Sequence, residues 1–385
     1  MRSALTIFLR FLVLGCVCFG GPIAHVGYFE REFVLRLQWI GRQRFTDLLA
    51  LAQFLPGPAS SQLGFAIGYE KGGLAGALAA FAGFTLPSFL IMYSIAVYGE
   101  SMLDEGIYAG LVYGLKLLAV VVVADAVITM AGRFCSSPVR AGLAVLTLAA
   151  ILLANVFYVQ YLCLGMAALA GMGLLRSDVQ EPGMSSKQGF RHGYLSVFFT
   201  LLACFFILAA FDETARVING FYQAGSFVFG GGHVVLPLLQ NFFGDQMDPD
   251  RFLAGYAAAQ AIPGPMFTIA TYLGPILLPQ APLTAAVVCT LAIFMPGFLL
   301  LLGLHRNLDY LRGNHLIQAA FHGVNAAVVG LLAAAFYDPV FTSIVHSNRE
   351  LLLVVAGLII ARMLKPNVML LVVAYAAVGL LLYGN

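Results

Sequence analysis

Apolar runs of membrane-spanning length fill this chain, separated by short polar breaks. In the first half, runs able to cross about 30 Å of hydrocarbon lie near 4–20, 45–68, 73–98, 106–131, 139–155 and 157–175. A polar link from Arg176 to Arg191, rich in Ser, Gly and Gln, follows. After it come a run near 194–211 and six more near 216–240, 251–276, 281–304, 315–337, 349–364 and 366–384. The pattern predicts an all-α polytopic membrane protein of about 13 transmembrane segments, with the last two of each half as tight hairpins.

The halves repeat each other. Gly15-Cys16-Val17-Cys18-Phe19-Gly20-Gly21-Pro22 returns as Gly225-Ser226-Phe227-Val228-Phe229-Gly230-Gly231-Gly232, and Gln53-Phe54-Leu55-Pro56-Gly57-Pro58 as Gln260-Ala261-Ile262-Pro263-Gly264-Pro265. Leu86-Pro87-Ser88-Phe89 matches Met295-Pro296-Gly297-Phe298, and Gly114 falls opposite Gly323. The offset stays between 207 and 210 throughout, which marks a duplication. Matched Gly/Pro interruptions in apolar segments point to a transporter whose site lies between the repeats. The expected domains are a first repeat over 1–175, a linker over 176–193, and a second repeat over 194–385 that begins with the extra span.

That odd span inserts the second half upside down relative to the first. Counting Lys and Arg by loop gives thirteen on the N-terminal side and six on the other, with Lys116 inside a span. The excess favours a cytoplasmic N-terminus. The loop carrying Arg31, Arg36, Arg42 and Arg44 opposes this model, which puts it outside. If the Gly-Gly segments near 20 and 230 dip in and return, eleven crossings remain and the halves become parallel.

Composition narrows the class. Hydrophobic residues make up 61% and charged residues 10%, which excludes an ordinary soluble domain. The net charge of +2 carries no basic patch, so no nucleic-acid partner is expected; the lipid bilayer is. Six cysteines lie almost wholly in apolar runs, and neither a disulfide framework, a metal site nor a cofactor is expected. Val13-Leu14-Gly15-Cys16 loosely resembles a cleavage site, but Arg10 interrupts the run and Gly15–Gly21 has an internal counterpart, so the segment is expected to be retained.

The Pro-Gly-Pro motifs carry the candidate chemistry. Two prolines remove two backbone donors, and Gly57 permits a sharp bend, so the segment splits into half-helices. The second half-helix starts near Ser60, Ser61 and Gln62, where unpaired amides and side-chain donors form an anion cradle. Gln53, Pro56 and Pro58 frame this cradle, and Gln260, Pro263, Gly264, Pro265 and Thr268 are its mates. Gly20 and Gly21 bend the chain before Pro22, which opens a helix over 23–39 with Glu32 and Arg36 spaced for an ion pair. Gly230, Gly231 and Gly232 correspond, followed by His233, able to titrate near neutral pH. Lys116, deep in an apolar span, is expected to bind the substrate, with Asn325 as its repeat mate. Asp125, His233 and Glu30 are the proton-coupling candidates.

Phe19-Gly20-Gly21-Pro22 with Pro56-Gly57-Pro58, and Phe229-Gly230-Gly231-Gly232-His233 with Pro263-Gly264-Pro265, resemble the doubled motif of the chromate ion transporters. The resemblance covers nearly the whole chain. It implies inverted halves and inner-membrane efflux of chromate coupled to the proton gradient. Transport or channelling of sulfate or another oxyanion is the alternative. An intramembrane enzyme built on Ser60 or Ser61 with His25 or His233 is a remote one, since no nucleophile motif is present. A homodimer is one assembly open to such a chain.

Overall fold

The structure is a computed structural model that describes residues 2–102, 105–154, 158–175, 192–229, 232–305, 307, 311, 313–364, 366 and 368–383. It is 87% helical, and no strand occurs among the described residues. Helices satisfy their own backbone groups, which a hydrocarbon surrounding requires.

Helix α1 (Arg2–Val17) runs to a bend at residues 18–20. From there α2 (Gly21–Phe29) and a π-helical turn (Glu30–Arg36) fold back along it. Phe11 packs on Phe29 and Phe33, with ring centroids 5.5 and 4.6 Å apart, and Arg10 reaches Glu32 at 3.7 Å. Next, α3 (Arg42–Phe54) breaks at the first Pro-Gly-Pro and returns as the first arm, residues 59–71, of α4 (Ala59–Met102). Arg44 at the start of α3 donates to Glu70 at the end of that arm, at 3.2 and 2.6 Å, so the two arms lie side by side. Gly72 and Gly73 then reverse the chain, Gly68 packs on Gly76 and Ala80, and the second arm of α4, residues 74–102, runs away.

The first half ends with α5 (Glu105–Phe134), α6 (Pro138–Leu153) and α7 (Val159–Leu174), and α8 (His192–Leu208) is the extra helix. The second half repeats the plan. Helices α9 (Glu213–Phe227) and α10 (Val235–Phe243) form a hairpin, with Phe221 and Phe243 4.7 Å apart. Helices α11 (Pro249–Ala261) and α12 (Ile269–Leu277) form another about the second Pro-Gly-Pro, where Gly255 lies against the Tyr272 ring. Then come α13 (Pro282–Leu304), α14 (His315–Ala335), α15 (Asn348–Leu364) and α16 (Val368–Tyr383). Side-chain caps from Ser137, Asp212, Asp248 and Asn314 start α6, α9, α11 and α14, supplying acceptors to amides that lack helical partners.

Helix directions establish the inversion. Gln62, Phe65 and Tyr69 meet Gly297, Phe298 and His305 of α13 in that order, so the first arm of α4 runs parallel to α13. The second arm of α4 reverses the first and is therefore antiparallel to α13, its own repeat mate. The halves also exchange their terminal hairpins. Helix α7 lies along α14, with Ala167 and Gly171 against Gly323 and Ala319, while α16 lies along α5, with Tyr375 and Gly379 against Gly114 and Gly110. At Gly114 and Gly323 helix backbones touch directly, which any side chain would prevent.

Among the described residues four helices, α4, α5, α13 and α14, carry stretches long and apolar enough to cross a membrane by length and composition. The segments near 45–68, 216–240 and 251–276 each fold back on themselves at their break, and the segment near 4–20 does so with residues 21–36 that follow it. The eleven-crossing variant anticipated two of these returns, and its parallel halves are overturned by the helix directions. If each hairpin returns to the side it enters from, the crossing helices are the second arm of α4, α5 to α8 and α13 to α16, and the two termini fall on opposite sides. The helix expected over 23–39 gives way to the π-helical turn before Leu37. The Arg176–Arg191 link lies outside the described residues.

This topology predicts that a cysteine replacing exposed Gln38 labels from the same side as one placed at Ser186 in the link. A tag after Asn385 should be reached from the opposite side. The thirteen-span arrangement predicts that Gln38 and Ser186 label from opposite sides.

Candidate functional site

The four hairpin tips meet at one junction inside the protein. The tip amide of Gly57 donates to Val228 O at 2.8 Å, and that of Gly264 donates to Cys18 O at 3.0 Å. Gly57 matches Gly264, and Cys18 matches Val228, so one bond is the repeat image of the other. Each Pro-Gly-Pro of one half is thereby bonded to the Gly-rich bend of the other. Both glycines need positive φ, +119° at Gly57 and +107° at Gly264, a region L-residues rarely adopt. Space is as restrictive: a methyl on Gly57 would stand 3.0 Å from the Gly297 Cα, and one on Gly264 would stand 2.7 Å from Ser88 Oγ.

Helix ends dominate the electrostatics. Four first arms end at the junction and four second arms begin there, at Gly21, Ala59, Gly232 and Met266. Each beginning presents amides without helical partners and the positive end of a dipole. Such ends favour anions, while unwound carbonyls at the same breaks favour cations.

The polar side chains come almost entirely from the first half. His25, buried, contacts Ser60 Oγ through Nδ1 and Cys18 O through Nε2, each at 3.2 Å. Because Cys18 O can only accept, Nε2 carries the proton and Nδ1 accepts from Ser60. In this Ser–His pair the ring is oriented by a backbone carbonyl. Gln62 donates through Nε2 to Pro56 O at 2.9 Å and to Gly297 O at 3.0 Å. Ser61 Oγ, Gln62 Oε1 and Thr85 Oγ1 are buried without a partner. Thr268, the mate of Ser61, is satisfied by Pro265 O at 2.8 Å.

Several expected site residues lie elsewhere. Lys116 pairs with Asp250 Oδ1 at 2.5 Å. Asp250 starts α11, and its helix runs about 17 Å further to reach the junction. Lys116, expected to supply charge to the Pro-Gly-Pro cradle, bridges α5 to α11 in this structure. Gln53 is exposed and takes a long contact from Arg133 at 3.5 Å. Glu30 pairs with Arg42 at 3.7 Å, and Asp125 with Arg362 at 3.3 Å. Glu32 and Arg36 form the expected pair at 3.0 Å. Asn325 is half-buried on α14, and Gln260 is bonded to Tyr256. Gly230, Gly231 and the side chains of Pro22 and His233 lie outside what is described.

Sequence reasoning missed Cys18 and Val228 as tip acceptors, and Ser88 and Gly297 as the surfaces the tips rest on. The latter pair sits in the matched Leu-Pro-Ser-Phe and Met-Pro-Gly-Phe motifs, so the repeat did contain the signal.

Inverted repeats joined by broken hairpins at a central junction define a multi-pass membrane transporter. The chromate transporter family model matches residues 5–174 and 215–380, and the chain belongs to that family. A chromate transport protein of Pseudomonas aeruginosa is 28% identical over 86% of this chain and 80% of its own length. One from Cupriavidus metallidurans is 26% identical over 97% and 92%. An uncharacterized transporter of Methanocaldococcus jannaschii is 27% identical over 99% and 94%. No solved structure matches the chain.

Alanine at either tip glycine should destabilise the protein by about 1–3 kcal/mol through backbone strain alone. Gly57→Ala should cost more than Gly264→Ala, because it meets backbone while Gly264→Ala meets a serine hydroxyl. Ser88→Gly should therefore partly rescue Gly264→Ala. Thermal unfolding in detergent measures both; equal losses without rescue would refute the packing argument.

Proposed function

We propose that this protein is a secondary active transporter that exports chromate across the cell inner membrane, drawing on the proton gradient through its electrical component. One observation carries this: four helix N-termini converge on a junction whose hydrogen bonds, among the described residues, involve no carboxylate. A tetrahedral dianion with acceptor oxygens on every side suits such donors. The names of the curated relatives support chromate in particular, and sulfate, alike in charge and shape, is its natural competitor. The transporter family and the carbonyl-held His25 support a non-enzymatic role.

Asymmetry between the repeats supports alternating access over a passive channel. Helix α11 packs along α5, buried from Phe252 to Ala259 and latched by Lys116 and Asp250. Its mate α3 buries one face only and meets α14 through the Phe54 and Phe321 rings, 4.0 Å apart, leaving Gln53 exposed. One side of the junction is thus closed and the other more open, as expected when repeats exchange conformations.

Orientation follows from charge. With the hairpins folded back, Arg31, Arg36, Arg42 and Arg44 join the N-terminal side. Only Arg216, Arg251 and Arg349 remain in loops of the other, which supports a cytoplasmic N-terminus. A dianion leaving a negative interior gains about 4.6 kcal/mol per 100 mV, so export needs no dedicated proton carrier. That fits Asp125 and Glu30, both held in ion pairs. The domains proposed are 1–175 and 194–385 about a 176–193 linker, whose last two residues already belong to α8. A homodimer is compatible with the exposed apolar flanks, though the transport scheme does not require one.

Proteoliposomes loaded with labelled chromate test the proposal. Efflux should rise when the interior is made negative, fall with competing sulfate, and be absent from protein-free vesicles. Flux indifferent to membrane potential would refute the electrical drive.

The latch gives a second test. Lys116→Met and Asp250→Asn should both slow transport and expose a cysteine placed at buried Ala257. If Lys116 instead binds the anion directly, Lys116→Met weakens chromate affinity while Asp250→Asn, by freeing the ammonium, strengthens it.

A further inference from the structure

The transport proposal leaves a charge unaccounted for. Among the described residues, the cation expected to meet a dianion, Lys116, is held about 17 Å along α11 from the junction. A second set of groups near the junction has no task in anion binding, and its chemistry is of the opposite sign.

Gln62 is 0% exposed, and both hydrogens of its amide go to carbonyls, Pro56 O and Gly297 O. This fixes the amide's orientation, since flipping it would aim the carbonyl oxygen at two other carbonyl oxygens. Gln62 Oε1 is therefore a buried acceptor with no partner. Thr85, 4% exposed, has an unpartnered Oγ1, and its own carbonyl accepts from Ser88 Oγ at 2.9 Å. Ser61, beside Gln62 and 4% exposed, has an unpartnered Oγ.

Helix register puts Gln62 and Thr85 at a similar depth. The Phe298 ring is flanked by Phe65 at 4.2 Å and Phe81 at 5.0 Å. Gln62 lies one turn from Phe65 toward the junction, and Thr85 lies one turn from Phe81 in the same direction. Gly297, which precedes Phe298, accepts from Gln62 in that layer. The three rings close it on the outer side. In the second half the mates of Gln62 and Thr85 are Ile269 and Phe294, so the layer exists once.

An acceptor-only amide oxygen repels an anion. Its occupant must be a cation or a hydrogen-bond donor, and since Gln, Thr and Ser do not titrate, the layer does not carry a proton. We propose that the Gln62–Thr85 layer, with Ser61 beside it, binds one dehydrated alkali-metal cation that offsets part of the oxyanion's charge. This rests on the anion-transport proposal for its purpose but not for its detection. A single ordered water is the competing occupant.

Thr85→Val is the decisive variant. It keeps the side-chain shape and removes an oxygen that bonds nothing in the protein, so the fold should be as stable as before or more so. The full-length protein in detergent, without chromate, should be stabilised against heat by sodium or potassium chloride relative to choline chloride. Half-saturation for that effect should shift upward by about tenfold in Thr85→Val. In vesicles clamped at one potential and pH, chromate flux should need the same cation, with single-site saturation. Identical melting in alkali and choline salts, or an unshifted half-saturation in Thr85→Val, would assign the layer to water and overturn the proposal. Cation-dependent melting with no chromate flux in any salt would instead sink the transport proposal and leave the cation site standing.

Discussion

Everything in this architecture depends on where two backbone amides send their hydrogen bonds. A helix broken inside a membrane strands amides and carbonyls that water cannot reach, at several kcal/mol each. Here the stranded amides of Gly57 and Gly264 are satisfied by Val228 O and Cys18 O, the stranded carbonyls of the opposite half. Neither repeat can therefore complete its own broken hairpins. The exchange of the α6–α7 and α15–α16 pairs extends the same dependence to the periphery, where Gly114 and Gly323 bring helices into backbone contact. Duplication in this chain is a requirement of the fold, because each half is the other's missing acceptor.

How much of this was legible in the sequence differs from element to element. The repeat, its register and the bends at the Gly and Pro motifs were visible, because those residues are dictated by backbone geometry that few others can adopt. Whether a bent segment crosses or returns was not. Residues 45–68 are apolar enough for either, and the distinguishing fact is that Arg44 and Glu70 end up side by side. Charge at both ends of a bent apolar stretch is the trace such a return leaves in sequence, and the awkward Arg31–Arg44 loop was its symptom.

The candidate site was half legible for a related reason. Ser61 and Gln62 stood out as first-half departures from the repeat, and the structure puts both beside the junction. Lys116 was read from its depth in a span, without its neighbours. Its partner Asp250 lies 134 residues away, on a helix whose place against α5 follows only from the tertiary fold. His25, dismissed as half of an enzyme pair, joins the Cys18 bend to the second arm at Ser60 and so helps hold the tip that accepts from Gly264.

Keeping fixed charge away from the junction has an energetic logic. A lysine placed there would bind a dianion tightly in every conformation, and release would then limit turnover. Amide donors at helix ends bind through partial charges whose strength depends on geometry, so a change in hairpin angle can weaken them together. Moving the lysine to the rim, onto Asp250, gives its charge a different use. Under the proposed transport cycle, the ion pair favours the described arrangement of α11 against α5, and so acts on the equilibrium between states while affinity is left to the junction. On that proposal recognition and gating fall to different residues, which lets the substrate be held weakly while the closed side stays closed.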